Sequence, residues 1–212
     1  MQLIGMLDSP YVRRVAVSLQ LLGLPFEHRS VSVFRTFPEF QAINPVVKAP
    51  TLVCDDGEVL MDSTLILDYA EALAAGRRSL MPASLPARQH ALRAIGLALA
   101  ALDKSLQIIY EHELRPADKR HGPWLDRVTG QLLAACAALE AELERRPPGA
   151  TLALIDQAGV STAVAWTFLQ AMVPDRVPAA SHPRLVAFTA ACEALPPFAA
   201  APHGSGTVGA AN

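Results

Sequence analysis

Residues 2–23 read QLIGMLDSPYVRRVAVSLQLLG, and the change of period inside them decides the fold. Gln2 to Met6 is a short apolar run of the strand type. From Pro10 to Leu22 the apolar residues fall at helical spacing, at Val12, Val15, Leu19 and Leu22, and Pro10 suits a first helical position. Gly23 stands where a helix C-cap needs a residue free to take positive φ. Phe26 to Val33 alternates as a second strand. Thr51 to Cys54 and Val59 to Met61 pair as a hairpin around Asp55-Asp56-Gly57. Ser63 then opens a helix carrying Leu65, Ile66, Tyr69 and Leu73. The order is strand, helix, strand, an irregular stretch, then strand, strand, helix.

That α/β pattern fills residues 1–76. Residues 77–87, RRSLMPASLPA, carry two prolines and read as an interdomain linker. From 88 to 200 every periodic segment is helical, so the chain is predicted to be an α/β domain followed by an all-α helical bundle. Between Arg88 and Glu113 two stripes run side by side: bulky Leu92, Ile95, Leu99, Leu102, Leu106 and Ile109, and small Ala91, Ala94, Ala98, Ala101 and Ser105 with Ile108. A bulky stripe beside a small one lets one helix meet two partners, one of them at close range. One chain's bundle cannot cover both stripes fully, which predicts a symmetric homodimer. Further helices are predicted at Pro123–Arg145, Gln157–Met172 and Pro183–Leu195. The small, glycine-rich residues of 201–212 read as a disordered tail.

Composition narrows the function. Half of the 212 residues are hydrophobic (51%), enough for a sizeable core, and 18 basic against 20 acidic residues leave a net charge of −2. Nothing in that balance favours nucleic acid or an anionic membrane as a partner. No apolar run reaches the length of a membrane span, and no leader pattern stands at Met1, so a cytoplasmic location is expected. The three cysteines, Cys54, Cys136 and Cys192, are far apart, form no CxxC and read as buried, reduced thiols. Neither they nor the six histidines show ligand spacing, so no metal is expected.

Strand, helix, strand, then strand, strand, helix, with Pro50 just before the third strand, is the pattern of a thioredoxin-like domain. Redox members of that fold place CxxC at the start of the first helix. Here the place holds Ser9-Pro10-Tyr11-Val12. Dithiol–disulfide exchange needs two sulfurs, so any thiol used here arrives with a ligand.

Three stretches resemble the cytosolic glutathione transferase family, especially its bacterial serine-motif members: Ser9-Pro10-Tyr11-Val12-Arg13, Asn44-Pro45 through Lys48-Ala49-Pro50, and Met61-Asp62-Ser63. The helical half resembles the family more loosely, through Asp156, Trp166, His182-Pro183-Arg184-Leu185 and Pro196-Pro197-Phe198. The resemblance implies a cytosolic detoxification enzyme. It would hold no permanent cofactor, take reduced glutathione as co-substrate and use its thiolate to attack a small electrophile.

It also implies residue roles. Pro50 would be a cis-proline, presenting the backbone of Ala49 to the cysteinyl unit. Asp62 and Ser63, at a helix start, would take the ammonium and carboxylate of the γ-glutamyl group. Lys48 would reach the glycyl carboxylate. Ser9 would donate to the thiolate, with Tyr11 as the next candidate, and Tyr11 and Tyr110 would line the pocket of the second substrate. The residues alone leave simpler roles open: a trans proline opening a strand, and plain helix caps at Ser9 and Asp62-Ser63. Arg13 and Arg14 read as a surface or interface pair of charges. At residue 153 the family's usual capping serine or threonine is replaced by Ala153, which would leave half a capping box at Asp156. Two other functions fit the same residues: glutathione-dependent disulfide or peroxide reduction, and a non-catalytic interaction protein that keeps the fold.

Overall fold

The computed structural model describes residues 1–209, which divide into two compact units. One is Met1–Leu80 joined by the segment from Glu193 onward; the other is Met81–Cys192.

The first unit is built on four short strands, β1 (Gln2–Ile4), β2 (Glu27–Arg29), β3 (Thr51–Val53) and β4 (Val59–Met61), in the order β2-β1-β3-β4. β2 runs parallel to β1, whereas β3 and β4 are antiparallel to their neighbours. This is the expected thioredoxin-like arrangement. Helix α1 (Pro10–Leu21) makes the β1–β2 crossover, and α3 (Ser63–Leu73) follows β4 and packs on α1. Leu3 and Ile4 are consecutive strand residues, so they point to opposite faces, and both are fully buried: the sheet is covered on both sides. Gly23 ends α1 at φ +67°, and Gly57 turns the hairpin at φ +89°.

The stretch expected to be irregular contains a helix, α2 (Phe37–Ile43), seated on the sheet through Phe40, which packs with Ile4 and Val31. It is seven residues long and buries only Phe40, leaving Phe37 exposed, so it offers no apolar period to read. β2 is also shorter than the predicted 26–33.

In the second unit α4 (Leu85–Glu113), α5 (Gly122–Arg145), α6 (Gln157–Met172) and α7 (Pro183–Glu193) are joined by short 3₁₀ turns at Ala117–Lys119 and Ala179–Ser181. The units part between Leu80 and Met81, inside the predicted linker, and α4 already begins at Leu85. α4 packs against both α5 and α6, as two stripes require. The small stripe is the deeper one: Ala91, Ala98, Ala101 and Ser105 are buried, and Ala91 and Ile95 meet Ala158 of α6. Of the bulky stripe, Leu92 is exposed and Leu99 half-buried. The α6 cap is Asp156 itself, accepting from the Gly159 amide at 2.8 Å, so Ala153 is not a capping position and nothing is missing from that start.

After α7 the chain returns to the first unit through α8 (Pro196–Ala199), which packs on α1 and buries Phe198 completely. The tail expected to be disordered is tied down over residues 201–209. Ala201 is fully buried, the Gly209 amide donates to the Ala200 carbonyl at 2.8 Å, and the Ser30 hydroxyl donates to the Ser205 carbonyl at 2.8 Å. Residues 210–212, covered by the same expectation, lie outside those described. All three cysteines are buried.

Candidate functional site

The ladder register gathers the site. Ile4 pairs with Thr51 and Thr51 with Met61, so the residues just beyond these three (Gly5, Pro50 and Asp62) leave the sheet side by side. Pro50 and Asp62 belong to two of the stretches singled out in the sequence, and Gly5 stands four residues before the third, which starts at Ser9. The Ala49–Pro50 peptide bond is cis. Gly5 lies where β1 gives way to the loop before α1, at φ +135°, a region that only glycine occupies comfortably. A Cβ there would stand 2.6 Å from Val12 Cγ2 and 3.2 Å from Ala49 Cβ. The first turn of α1 and the cis-proline loop thus close on the Gly5 backbone, a role the sequence reading did not assign to it.

Ser9 is the N-cap of α1. Its hydroxyl accepts from the Val12 amide at 3.4 Å, which leaves its own proton to donate. No acidic residue stands in the first turn of α1 to offset the partial positive charge of its N-terminus. Tyr11 is half-buried, two residues on.

The cis-proline loop is held from below by Asn44, which is buried. Its Nδ2 donates to Thr51 Oγ1 at 2.8 Å, its Oδ1 accepts from the Val46 amide at 3.0 Å, and the Thr51 hydroxyl donates to the Lys48 carbonyl at 2.7 Å. Lys48 itself is exposed. Val47 stands at φ +53°, a costly conformation for a β-branched residue.

Asp62 caps α3 by accepting from the Thr64 amide at 2.9 Å, and it too has positive φ, +73°. These are the two non-glycine residues at positive φ among those described, and they sit in the cis-proline loop and at the start of α3. Such strain persists where surrounding structure imposes it, and it collects at ligand sites.

Arg13 and Arg14 are not a surface pair: both are buried. Arg13 grips Glu193 with two bonds of 2.7 and 2.6 Å, donates through Nε to the Ala201 carbonyl at 2.7 Å, and lies over the Phe198 ring. Arg14 runs beneath the start of α3, donating through Nη1 to Ser63 Oγ at 3.1 Å and Thr64 Oγ1 at 3.3 Å. Burial lowers its pKa to about 10, against the opposing pull of Asp62 and Tyr11. It therefore remains a cation at neutral pH. Because both hydroxyls accept from Arg14, each keeps its proton for another acceptor. Two adjacent arginines carry no sequence mark of burial, because their partners stand 49 to 188 residues away.

Tyr110 belongs to the second unit, exposed near the end of α4. In the same region Arg115 pairs with Glu111 at 3.1 Å, and the His112 carbonyl accepts from Arg120 at 2.7 Å. Among the described residues no three His, Cys, Asp or Glu side chains gather as a metal site. No helix among them is long and apolar enough to cross a membrane.

Residues 3–78 match the family model for the glutathione S-transferase N-terminal domain. A solved glutathione transferase family member from Pseudomonas fluorescens Pf-5, with bound S-(propanoic acid)-glutathione, is 31% identical, and the likeness covers 95% of this chain and 98% of that one at a TM-score of 0.78. The chain belongs to the glutathione transferase family. A glutathione S-transferase from Methylobacterium radiotolerans in complex with glutathione sulfonate is 25% identical, covering 93% of this chain and 92% of its own at a TM-score of 0.83. The uncharacterized GST-like protein YibF of Escherichia coli K12 is 33% identical over 86 residues, 41% of this transferase-family chain and 40% of the relative. The match thus spans about 40% of that relative's length.

Proposed function

We propose that this protein binds reduced glutathione at the edge of the β1-β3-β4 sheet and activates its thiol for attack on a small electrophile. The observation that supports the reading is the register, which sets Gly5, cis-Pro50 and Asp62 side by side, with Ser9 capping the helix that follows Gly5. Three functions of one tripeptide, its γ-glutamyl end, its backbone and its thiol, need three such groups together.

The Ala49 backbone lies beyond the β3 ladder and pairs with the cysteinyl unit as an added strand would. The ligand's α-carboxylate meets the first turn of α3, where the Ser63 hydroxyl, accepting from Arg14, has its proton left to give. Asp62 accepts from the ligand's ammonium, and Lys48 pairs with the glycyl carboxylate. Ser9 donates its hydroxyl proton to the sulfur beside the positive end of α1, and both effects favour thiolate. The thiol proton leaves to solvent. The sulfur lone pair forms a carbon–sulfur bond, and the electron pair of the electrophile's broken bond departs with its leaving group or takes up a proton. The protein contributes pKa lowering and positioning and forms no covalent bond of its own. Tyr11, two residues from Ser9, is the residue of this reading that meets the reacting electrophile.

The same reading assigns the chain to the bacterial serine-motif transferases, acting in the cytoplasm in detoxification. It also takes the chain to be a homodimer. The support is the face of α4 that carries exposed Leu92, where an open cavity of about 510 Å³ is lined by Gln89, His90, Leu92, Arg93, Gly96 and Leu97. Light scattering at micromolar concentration is expected to give twice the chain mass, and a monomeric mass contradicts the dimer. The test of function is retention on immobilised glutathione followed by conjugation across an electrophile panel. Failure to bind overturns the site, and binding without turnover favours a non-catalytic interaction protein.

A further inference from the structure

The residues of 201–209, composed like a flexible tail, are held at points that lead back to the Ser9 loop. At one end, Arg13 of α1 holds the Ala201 carbonyl at 2.7 Å. In the middle, Ser30 donates to the Ser205 carbonyl, and His203 reaches the Asp8 backbone, one residue before Ser9. At the other end, the Val208 amide donates to His28 Nδ1 at 3.0 Å, while His28 Nε2 lies 2.7 Å from the Gly5 carbonyl. A backbone N–H only donates and a carbonyl only accepts. Nδ1 must therefore be bare and Nε2 must carry the proton. His28 is a neutral imidazole of fixed tautomer, bridging the strap to the glycine against which Val12 and Ala49 pack.

We propose that the 201–209 strap is a clamp on the Ser9 loop and that His28 is the positioning residue that holds it, releasing the strap when it gains a second proton. A proton on Nδ1 would face the Val208 N–H, donor against donor, and that contact would open. The clamp itself stands whatever the site binds; its effect on a thiol rests on the glutathione reading.

The charged groups around His28 come from its own strand, the strap and the loop before α1. On its own strand Glu27 accepts from Gln2, and Arg29 pairs with Glu39 of α2. β1 carries no ionisable side chain. The strap offers His203, and the loop before α1 offers Asp8. His28 is held below the ordinary imidazole value of 6.5 first by burial, with the bond to the Gly5 carbonyl opposing. His203 is lowered as well, by burial and then by Arg13, while Asp8, its backbone and Glu193 oppose. Both shifts have one sign. The docked strap binds fewer protons than the free one, so docking is fully favourable above 6.5 and weakens as pH falls from 6.5 towards the docked values. Each histidine changes the docking constant by up to about tenfold per pH unit within that window.

The experiment uses the full chain in a His203→Gln background, so that His28 is the one histidine at the strap left to titrate. Imidazole nitrogen NMR is expected to show His28 as the Nε2–H tautomer with a pKa below 6.5. Val208→Pro deletes the donor and should raise that pKa. The protection factor of the Val208 amide should be flat above 6.5 and fall by up to about tenfold per unit below it. The Nδ1–H tautomer, an unmoved pKa in Val208→Pro, or pH-independent protection would each overturn the clamp. In a second arm, the thiol of bound glutathione should ionise at higher pH in Val208→Pro than in its parent. Equal ionisation overturns the positioning role while the clamp stands, whereas a parent that binds no glutathione overturns the functional reading and leaves the NMR arm decisive.

Discussion

Arg13→Met separates an exposed charge pair from a buried one by more than the error of measurement. An exposed arginine–carboxylate pair contributes about 0–1 kcal/mol, whereas breaking a buried one costs about 3–5 kcal/mol. The Arg13 side chain is 1% exposed and Glu193 30%, so the carboxylate left behind still reaches water. That places the cost near the lower bound, about 3 kcal/mol, with the Ala201 carbonyl and Phe198 ring also losing their partner. Methionine fills much of the vacated space, which keeps a cavity term out of the comparison. Both tryptophans, Trp124 and Trp166, lie in the second unit, so their fluorescence is silent about this pair. Hydrogen exchange read by mass spectrometry over α1 and residues 196–209 reports it directly. About 3 kcal/mol corresponds to protection lower by on the order of 100-fold in those peptides, with the α5 and α6 peptides unchanged. Glu193→Gln keeps an acceptor for the guanidinium and should lose less. Protection within threefold of the parent in Arg13→Met would refute the buried clamp and restore the surface pair.

Asp62→Asn keeps an oxygen to accept from the Thr64 amide but removes the charge, so it should leave α3 intact and weaken glutathione binding by roughly 10- to 100-fold in isothermal titration. Unchanged affinity removes the proposed contact to the ammonium. Asp156→Ala should cost about 0.5–2 kcal/mol as the loss of an N-cap, whereas Ala153→Ser should stay within about 0.5 kcal/mol. Urea denaturation followed through Trp166 of α6 checks both, and a stabilised Ala153→Ser would return the cap to residue 153.

Features written in local periods were legible in the sequence. The shift from strand to helix before Pro10, the Gly23 and Gly57 turns, the cap at Asp62 and the paired stripes of α4 each follow from residues within one turn or one hairpin. The cis bond at Pro50 was expected from the resemblance of its loop, since an isolated X-Pro pair favours trans. What escaped was decided at long range. Phe40 is the lone buried residue of α2, and one residue makes no period. Arg13 and Arg14 look like solvated charges until Glu193, Ala201 and Ser63 are brought to them. The strap was hidden for a different reason: its anchors are the backbone groups of Ala201, Ser205 and Val208, which every residue carries and no composition marks. Gly5 falls inside the predicted strand Gln2–Met6, although its φ of +135° and the nearness of Val12 are what allow the loop to close.

Ultraviolet titration of the bound glutathione thiolate in Ser9→Ala asks whether Ser9 holds that thiolate. A free thiol ionises near a pKa of about 8.5. In the parent complex the hydroxyl and the α1 terminus should bring ionisation below that value, each unit reflecting about 1.4 kcal/mol of preference for the charged form. Ser9→Ala should bind glutathione with nearly the same affinity, ionise it at higher pH and conjugate more slowly. Ionisation at the same pH in parent and variant would contradict the account and move the donor to Tyr11 or a backbone amide of the first turn.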